Sequence, residues 1–176
     1  YEDALQWLVG ADLVAQIYRS RGVGLPISAY DDLSAFKIYL TDVGVLRKLS
    51  RLDPISLTDL NRLFTEFRGA LTENYVLQSL RSQLEVIPRY WAQNNPPYEV
   101  DFLIQHRNEV IPVEVKSGTA VKSPSLTKFQ SLFGEQTPLR VRFSGQNLTL
   151  DSDLLNIPLC LADQASRLID LALTRL

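Results

Sequence analysis

Two short runs, YEVDFLIQ (98–105) and EVIPVEVKS (109–117), stand on either side of His106-Arg107-Asn108. This arrangement limits what the chain can fold into more than any other feature of it. Apolar residues recurring at every second position in runs this short predict two strands, and the tight connection predicts an antiparallel hairpin. In the second run Ile111, Val113 and Val115 fall on one face, and Glu114 and Lys116 on the other. In the first run Val100, Phe102 and Ile104 are expected on one face and Asp101 on the opposite one. Cross-strand neighbours lie within about 5 Å at Cβ. Asp101, Glu114 and Lys116 are therefore placed to converge, with both carboxylates close enough to share one hard cation. A hairpin whose polar face is simply wetted by solvent meets the same pattern.

Around this hairpin the chain alternates between helical and strand patterns. Residues 1–9 read as a helix with acids in its first turn. Gly10 ends it, and a short apolar stretch follows. Residues 20–34, with Gly22, Gly24, Pro26 and Asp31-Asp32, read as loop. FKIYL (36–40) reads as a strand. Asp42 is placed to cap the helix VGVLRKL, and Asp53-Pro54 to end that unit. A long helical pattern covers 66–84. LEVIPRYW (84–91) reads as a strand and NNPP (94–97) as a turn. Ser123 and Pro124 open a helix over 124–133. LRVRFS (139–144) alternates as a strand, and 161–173 is an amphipathic helix. No repeat or low-complexity stretch interrupts this order, which predicts a mixed α/β layer protein.

Composition narrows the functional classes. With 176 residues and 45% hydrophobic residues, the chain suits one domain, burying roughly two-thirds of its unfolded surface. Its 18 Lys+Arg against 20 Asp+Glu give a net charge of -2, which excludes a polybasic tail and disorder. Cys160 is the single cysteine and His106 the single histidine. An internal disulfide framework, a Cys-rich zinc module and a multi-His metal site within one chain are thereby excluded. No apolar run approaches the roughly 18 residues of a membrane span, and no signal-peptide pattern opens the chain. A protein of the reducing cytoplasm, without a membrane partner, is expected. The sequence holds no methionine and opens at Tyr1 inside a helical pattern. A piece of a longer protein is expected, with methionines missing from the sequence as written.

The helix over 66–84 adds a third acid. Val76, Leu77, Leu80 and Leu84 form its apolar stripe, and the same stripe one turn earlier reaches Glu73. A carboxylate facing a core is costly unless a cation or a lysine stands near it. Glu73 is also near the helix start, where the macrodipole favours an acid and water reaches it.

Taken in order, Glu73, then Asp101, then, after twelve intervening residues, Glu114-Val115-Lys116 resemble the PD-(D/E)XK nuclease signature of the restriction-endonuclease-like fold. The segments FKIYLTDVGVL, LTENYVLQSL, YEVDFLI, IPVEVKSG and NIPLCLA resemble, in the same order, the domain of unknown function that follows the AAA+ module in many prokaryotic ATPases. The resemblance covers about residues 25–165. It implies an α/β fold with a restriction-endonuclease-like mixed sheet flanked by helices over 28–176, preceded by a linker or a small helical or winged-helix-like segment over 1–27. It implies a Mg²⁺- or Mn²⁺-dependent phosphodiesterase acting on DNA, or a catalytically silent module that binds nucleic acid or protein and regulates an upstream AAA+ ATPase module of the same polypeptide. Oligomers are compatible with either. Asp101 and Glu114 would be the metal-binding acids, and Glu73 the helix acid, reaching the metal directly or through water. The Val115 carbonyl would complete the shell, and Lys116 would stand beside the attacking water or the scissile phosphate. The signature's proline is absent, since Val100 precedes Asp101.

Mg²⁺ takes oxygen ligands and keeps several waters, so two carboxylates and a phosphate oxygen suit it. Lys116 could equally do no more than pair with Glu114. His106 is expected at the surface of a turn and Cys160 in the core. Tyr90 and Trp91 offer rings to a base but end a strand, which favours packing. Six Lys/Arg against three Glu between 107 and 142, including Lys122, Lys128, Arg140 and Arg142, make a mild positive patch or an ordinary solvated face. No P-loop motif is present, so any ATPase activity would lie in another module.

Overall fold

A computed structural model describes residues 2–51, 65–119 and 122–176. In chain order these form α1 (Glu2–Gly10), β1 (Val14–Ser20), a 3-10 turn (Ile27–Tyr30), β2 (Asp31–Leu40), α2 (Val43–Leu49) and α3 (Thr65–Arg81). Then come β3 (Arg89–Asn94), β4 (Pro97–His106), β5 (Glu109–Val115), α4 (Pro124–Phe133) and β6 (Arg140–Ser144). The chain ends with β7 (Thr149–Asp151), β8 (Leu154–Pro158), a 3-10 segment (Leu159–Gln164) and α5 (Ala165–Leu173). The eight strands form one mixed sheet in the order β2-β1-β3-β4-β5-β6-β8-β7. β4 and β5 pair antiparallel at its centre, while β5–β6 and β6–β8 are parallel.

Helices cover both faces. The larger cluster gathers Val76, Leu77 and Leu80 of α3 and Ile169 of α5 against Phe102, Ile104, Ile111, Val113 and Val115. The smaller cluster sets Leu126 and Phe129 of α4 on Trp91, Val100, Leu103 and Val110. Burying side chains of this size stabilises by roughly 1.5–3 kcal/mol each relative to exposure.

The central hairpin matches its sequence pattern, with a two-residue connection between His106 and Glu109 and Arg107 at φ 54°. Asp42 caps α2, its Oδ1 accepting from the Val45 amide at 2.8 Å. α4 starts at Pro124, but Ser123 makes no side-chain cap hydrogen bond. Asp53-Pro54 lies outside the described residues.

Other segments depart from expectation. The presumed loop 20–34 contains the first residues of β2, because Asp31 and Asp32 are drawn into the sheet by Arg89 and Arg19. Its two glycines lie against Tyr30, whose side chain a Cβ on Gly22 or Gly24 would meet at 2.6 or 2.1 Å unless the ring moved. The strand expected over 84–91 begins only at Arg89, just after Pro88, which has no amide to offer a ladder. The expected helix 161–173 is a 3-10 segment followed by α5. β1 and β8 carry no clean alternation. Val14, Ala15 and Ile17 are all buried, as are Leu155, Asn156 and Ile157, because helices or neighbouring segments cover both sides. β1 lies within residues 1–27 and pairs with β2 and β3 in the same sheet.

Candidate functional site

The site is built where β4 begins and β5 ends. Between β3 and β4 the register slips: Arg89 pairs with Leu103 but Trp91 with Val100. The extra residue on β4 is a bulge. It breaks the alternation expected there. Val100 does not share a face with Phe102 and Ile104; it joins Leu103 in the cluster beneath α4. Asp101 sits at this break. Its Oδ2 accepts the Val115 N–H at 2.7 Å, so a side chain takes a hydrogen bond at the end of the β4–β5 ladder.

Glu73 is carried to the same end of the sheet by α3. Asn74, buried beside it, locks the helix to β2: its Oδ1 accepts the Leu40 amide at 3.0 Å and its Nδ2 donates to the Leu40 carbonyl at 2.9 Å. Gln78 accepts the Val43 amide at 2.9 Å. Glu73 is half-buried, and the Tyr39 hydroxyl donates to its Oε2 at 3.2 Å. The Tyr39 phenol is pushed up by burial and by the charges of Glu73 and Asp101.

Asp101 registers this crowding. Its carboxyl is pushed up to about 7, first by burial and then by the Glu73 charge, with a smaller push from Glu114. The Val115 N–H and Lys37 oppose the rise. Lys37 is itself held by Glu99. A cation beside a carboxyl whose ionisation is opposed in this way would favour its ionised form.

Glu114 is buried, with its side chain 4% exposed. Its Oε1 meets Lys116 Nζ at 2.5 Å. Its Oε2 is buried and accepts no hydrogen bond among the described residues. Val113 and Val115 belong to the α3-side cluster, so Glu114 and Lys116 alternate toward the side that carries α4. Asp101 thus stands between Glu73 on one side and Glu114 on the other. Among the described residues no three Asp, Glu, His or Cys side chains form a group that could hold a metal ion. The sequence pattern brings Asp101, Glu73, Glu114 and Lys116 to one end of the sheet, but not into one ready cage. Mg²⁺ is commonly held by one or two carboxylates plus waters and substrate phosphates. An all-oxygen pair with one unsatisfied buried oxygen, Glu114 Oε2, fits such an ion.

Sequence reasoning missed Tyr39 and Lys37. Both lie in the expected strand FKIYL, but nothing local shows that a helix 34 residues later will meet Tyr39. It also misplaced two singletons. His106 is buried, not a surface turn residue, because Asp170 of α5 reaches its Nε2 at 2.7 Å. Cys160 is exposed, in the 3-10 segment before α5. Arg140 and Arg142 do not extend a free positive patch. Arg140 pairs with Asp153 at 2.6 Å, and buried Arg142 donates to Asn156 Oδ1 at 2.8 Å. Tyr90 and Trp91 are packed in the core, as expected.

Fold and site together define an α/β protein with an eight-stranded mixed sheet between helices and an acid-rich end at its central hairpin. A family model described as Domain of unknown function (DUF4143) matches residues 68–160, just over half of the chain, and the chain belongs to this family. The matched span includes Glu73, Asp101, Glu114 and Lys116. No curated protein and no solved structure matches the chain. Among the described residues no helix is long and apolar enough to cross a membrane.

Proposed function

We propose that this chain is a restriction-endonuclease-like nuclease domain, hydrolysing DNA phosphodiesters with Mg²⁺ in the cytoplasm as a partner of an AAA+ ATPase module. One observation carries the reading. A buried carboxylate, Glu114, keeps one oxygen without a partner among the described residues, beside a lysine and one strand away from an aspartate whose ionisation is resisted.

Asp101 and Glu114 would hold the ion, with Glu73 acting through water and the Val115 carbonyl completing the shell. The ion supplies Lewis-acid polarisation of the phosphate and lowers the pKa of water. Lys116, part-exposed and already oriented by Glu114, stabilises charge that develops on the phosphate. Glu73 and Tyr39 hold the Asp101 side of the site in place through their hydrogen bond. The bulge at Asp101 sets the carboxylate at the end of the β4–β5 ladder, next to Val115.

The test is cleavage of plasmid and single-stranded DNA with Mg²⁺, Mn²⁺ or chelator. Divalent-dependent cutting that Glu114→Ala and Lys116→Ala each abolish supports the reading. Cutting that survives both changes belongs to a contaminant and overturns it.

A second reading has its own support. Each of the three carboxylates already engages a protein donor: Tyr39, the Val115 amide or Lys116. That arrangement suits a catalytically silent module that binds nucleic acid or protein and regulates an ATPase. Such a module shifts DNA equally with and without metal and never cuts it.

A further inference from the structure

An open groove runs along the α4 side of the sheet at the end where β4 begins. Its volume is about 660 Å³, and Tyr98, Lys122, Ser123, Thr127 and Lys128 line it. Tyr98 is the second residue of β4 and packs half-buried against the cluster beneath α4. Lys122 and Lys128 flank the first turns of α4 (Pro124–Phe133).

Three features of this groove suit an anionic ligand that carries flat rings. First, neither lysine has an acidic partner among the described residues, whereas Arg89, Arg140 and Lys116 are each paired with an acid. Second, the Ser123 hydroxyl is buried and makes no hydrogen bond among the described residues, although it stands where a helix cap would use it. Third, an aromatic ring, Tyr98, lines the same groove as the two lysines, on a chain whose net charge is -2. Positive charge concentrated against an overall negative background gives local rather than general attraction for anions. Lysines spaced along a groove with an aromatic wall match how single strands are bound, by backbone charges and base stacking together.

We infer that this groove binds single-stranded nucleic acid, with Lys122 and Lys128 on successive phosphates, the Ser123 hydroxyl and the α4 amides on one of them, and the Tyr98 ring stacked on a base. The inference rests on the nuclease reading only for its purpose, which is to lead a strand toward Glu114 and Lys116 on the same side of the sheet. Binding itself needs neither metal nor turnover. A duplex backbone would leave the Tyr98 ring without a role, so an unpaired strand is the ligand.

The test is fluorescence anisotropy with a labelled oligothymidylate of fifteen or so nucleotides, in chelator, across a salt series. The joint variant Lys122→Ala/Lys128→Ala is expected to weaken binding by on the order of tenfold. It should flatten the log–log salt slope by about 1.4, since each single-strand phosphate contact accounts for about 0.7. Tyr98→Ala is expected to weaken binding about fivefold or more, while Tyr98→Phe preserves it, as stacking requires. Far-ultraviolet circular dichroism and melting curves establish that these surface variants fold. An unchanged Kd and salt slope in the double lysine variant overturns the inference. So does a duplex of equal length that competes better than the strand, or no binding at all in low salt. A chain that binds through the groove yet never cuts sinks only the nuclease reading. One that cuts with the groove variants unaffected sinks only the groove.

Discussion

Asp32 and Asp101 are two aspartates of one sheet, and their surroundings push them in opposite directions. Asp32 is buried near one edge, on β2, and takes hydrogen bonds from the Ser34 hydroxyl at 2.7 Å, from Arg21 at 2.8 Å and from Arg19 at 2.5 Å. These donors, the Ser34 hydroxyl foremost, hold its carboxyl well below the usual range. Asp101 has one amide donor and two acidic neighbours, and burial pushes it up to about 7. The first arrangement is complete without any ligand. The second is left in an environment that a cation would improve, and perturbation of that kind marks functional sites more often than satisfied ion pairs do.

Asp101→Asn is the sharpest way to break this contrast. It keeps an acceptor for the Val115 amide and removes the charge. DNA cleavage is expected to fall by roughly a hundredfold or more, the scale on which removing one electrostatic group acts. Initial rates on plasmid check it, and an unchanged rate would assign Asp101 a structural role.

The same variant should gain stability where wild type is penalised. A carboxyl held at about 7 in the fold and near 4 when unfolded favours the folded state most below pH 4. That contribution is lost as pH rises through 7. At pH 9 the asparagine protein is therefore expected to exceed wild type by up to about 4 kcal/mol. The gap should close toward pH 4. Urea melts at both values measure it.

Asp32→Asn carries the opposite sign. A depressed carboxyl contributes stability above its unfolded pKa and loses it as pH falls below about 4. This variant should be less stable than wild type at pH 7 and converge with it in acid. Parallel pH profiles for the two asparagine variants would dissolve the contrast.

Two smaller changes refine it. Tyr39→Phe removes one hydrogen bond to Glu73, and about 1 kcal/mol of stability is expected to go with it. Lys37→Met takes away a cation that restrains the Asp101 rise, so the Asp101 titration, followed by carboxyl NMR, should move further up. Because Lys37 pairs with a part-exposed Glu99, global stability should change by less than about 1 kcal/mol.

Much of this was legible in local patterns. The hairpin 97–115, the start of α4 at Pro124 and the Asp42 cap follow from period, proline position and a capping side chain, each acting within a few residues. The order of Glu73, Asp101, Glu114 and Lys116, and the alternation that sets Glu114 and Lys116 on one face of their strand, follow from the same patterns. The bulge at β4 was not legible. It depends on where β3 docks, and it moved Val100 to the other face and left Asp101 bonded to the Val115 amide.

By itself, then, the amino-acid sequence determined the central strands, the long helix and the acids they carry, because each is written in repeats of two or of three to four residues. Only the tertiary structure decided that β1 and β8 are strands, that His106 is buried on Asp170 while Cys160 is exposed, and that Asp101 resists ionisation between Glu73 and Glu114. Those outcomes come from contacts between residues tens of positions apart, where neighbouring charges and lost solvent, rather than local conformational preference, set the energy.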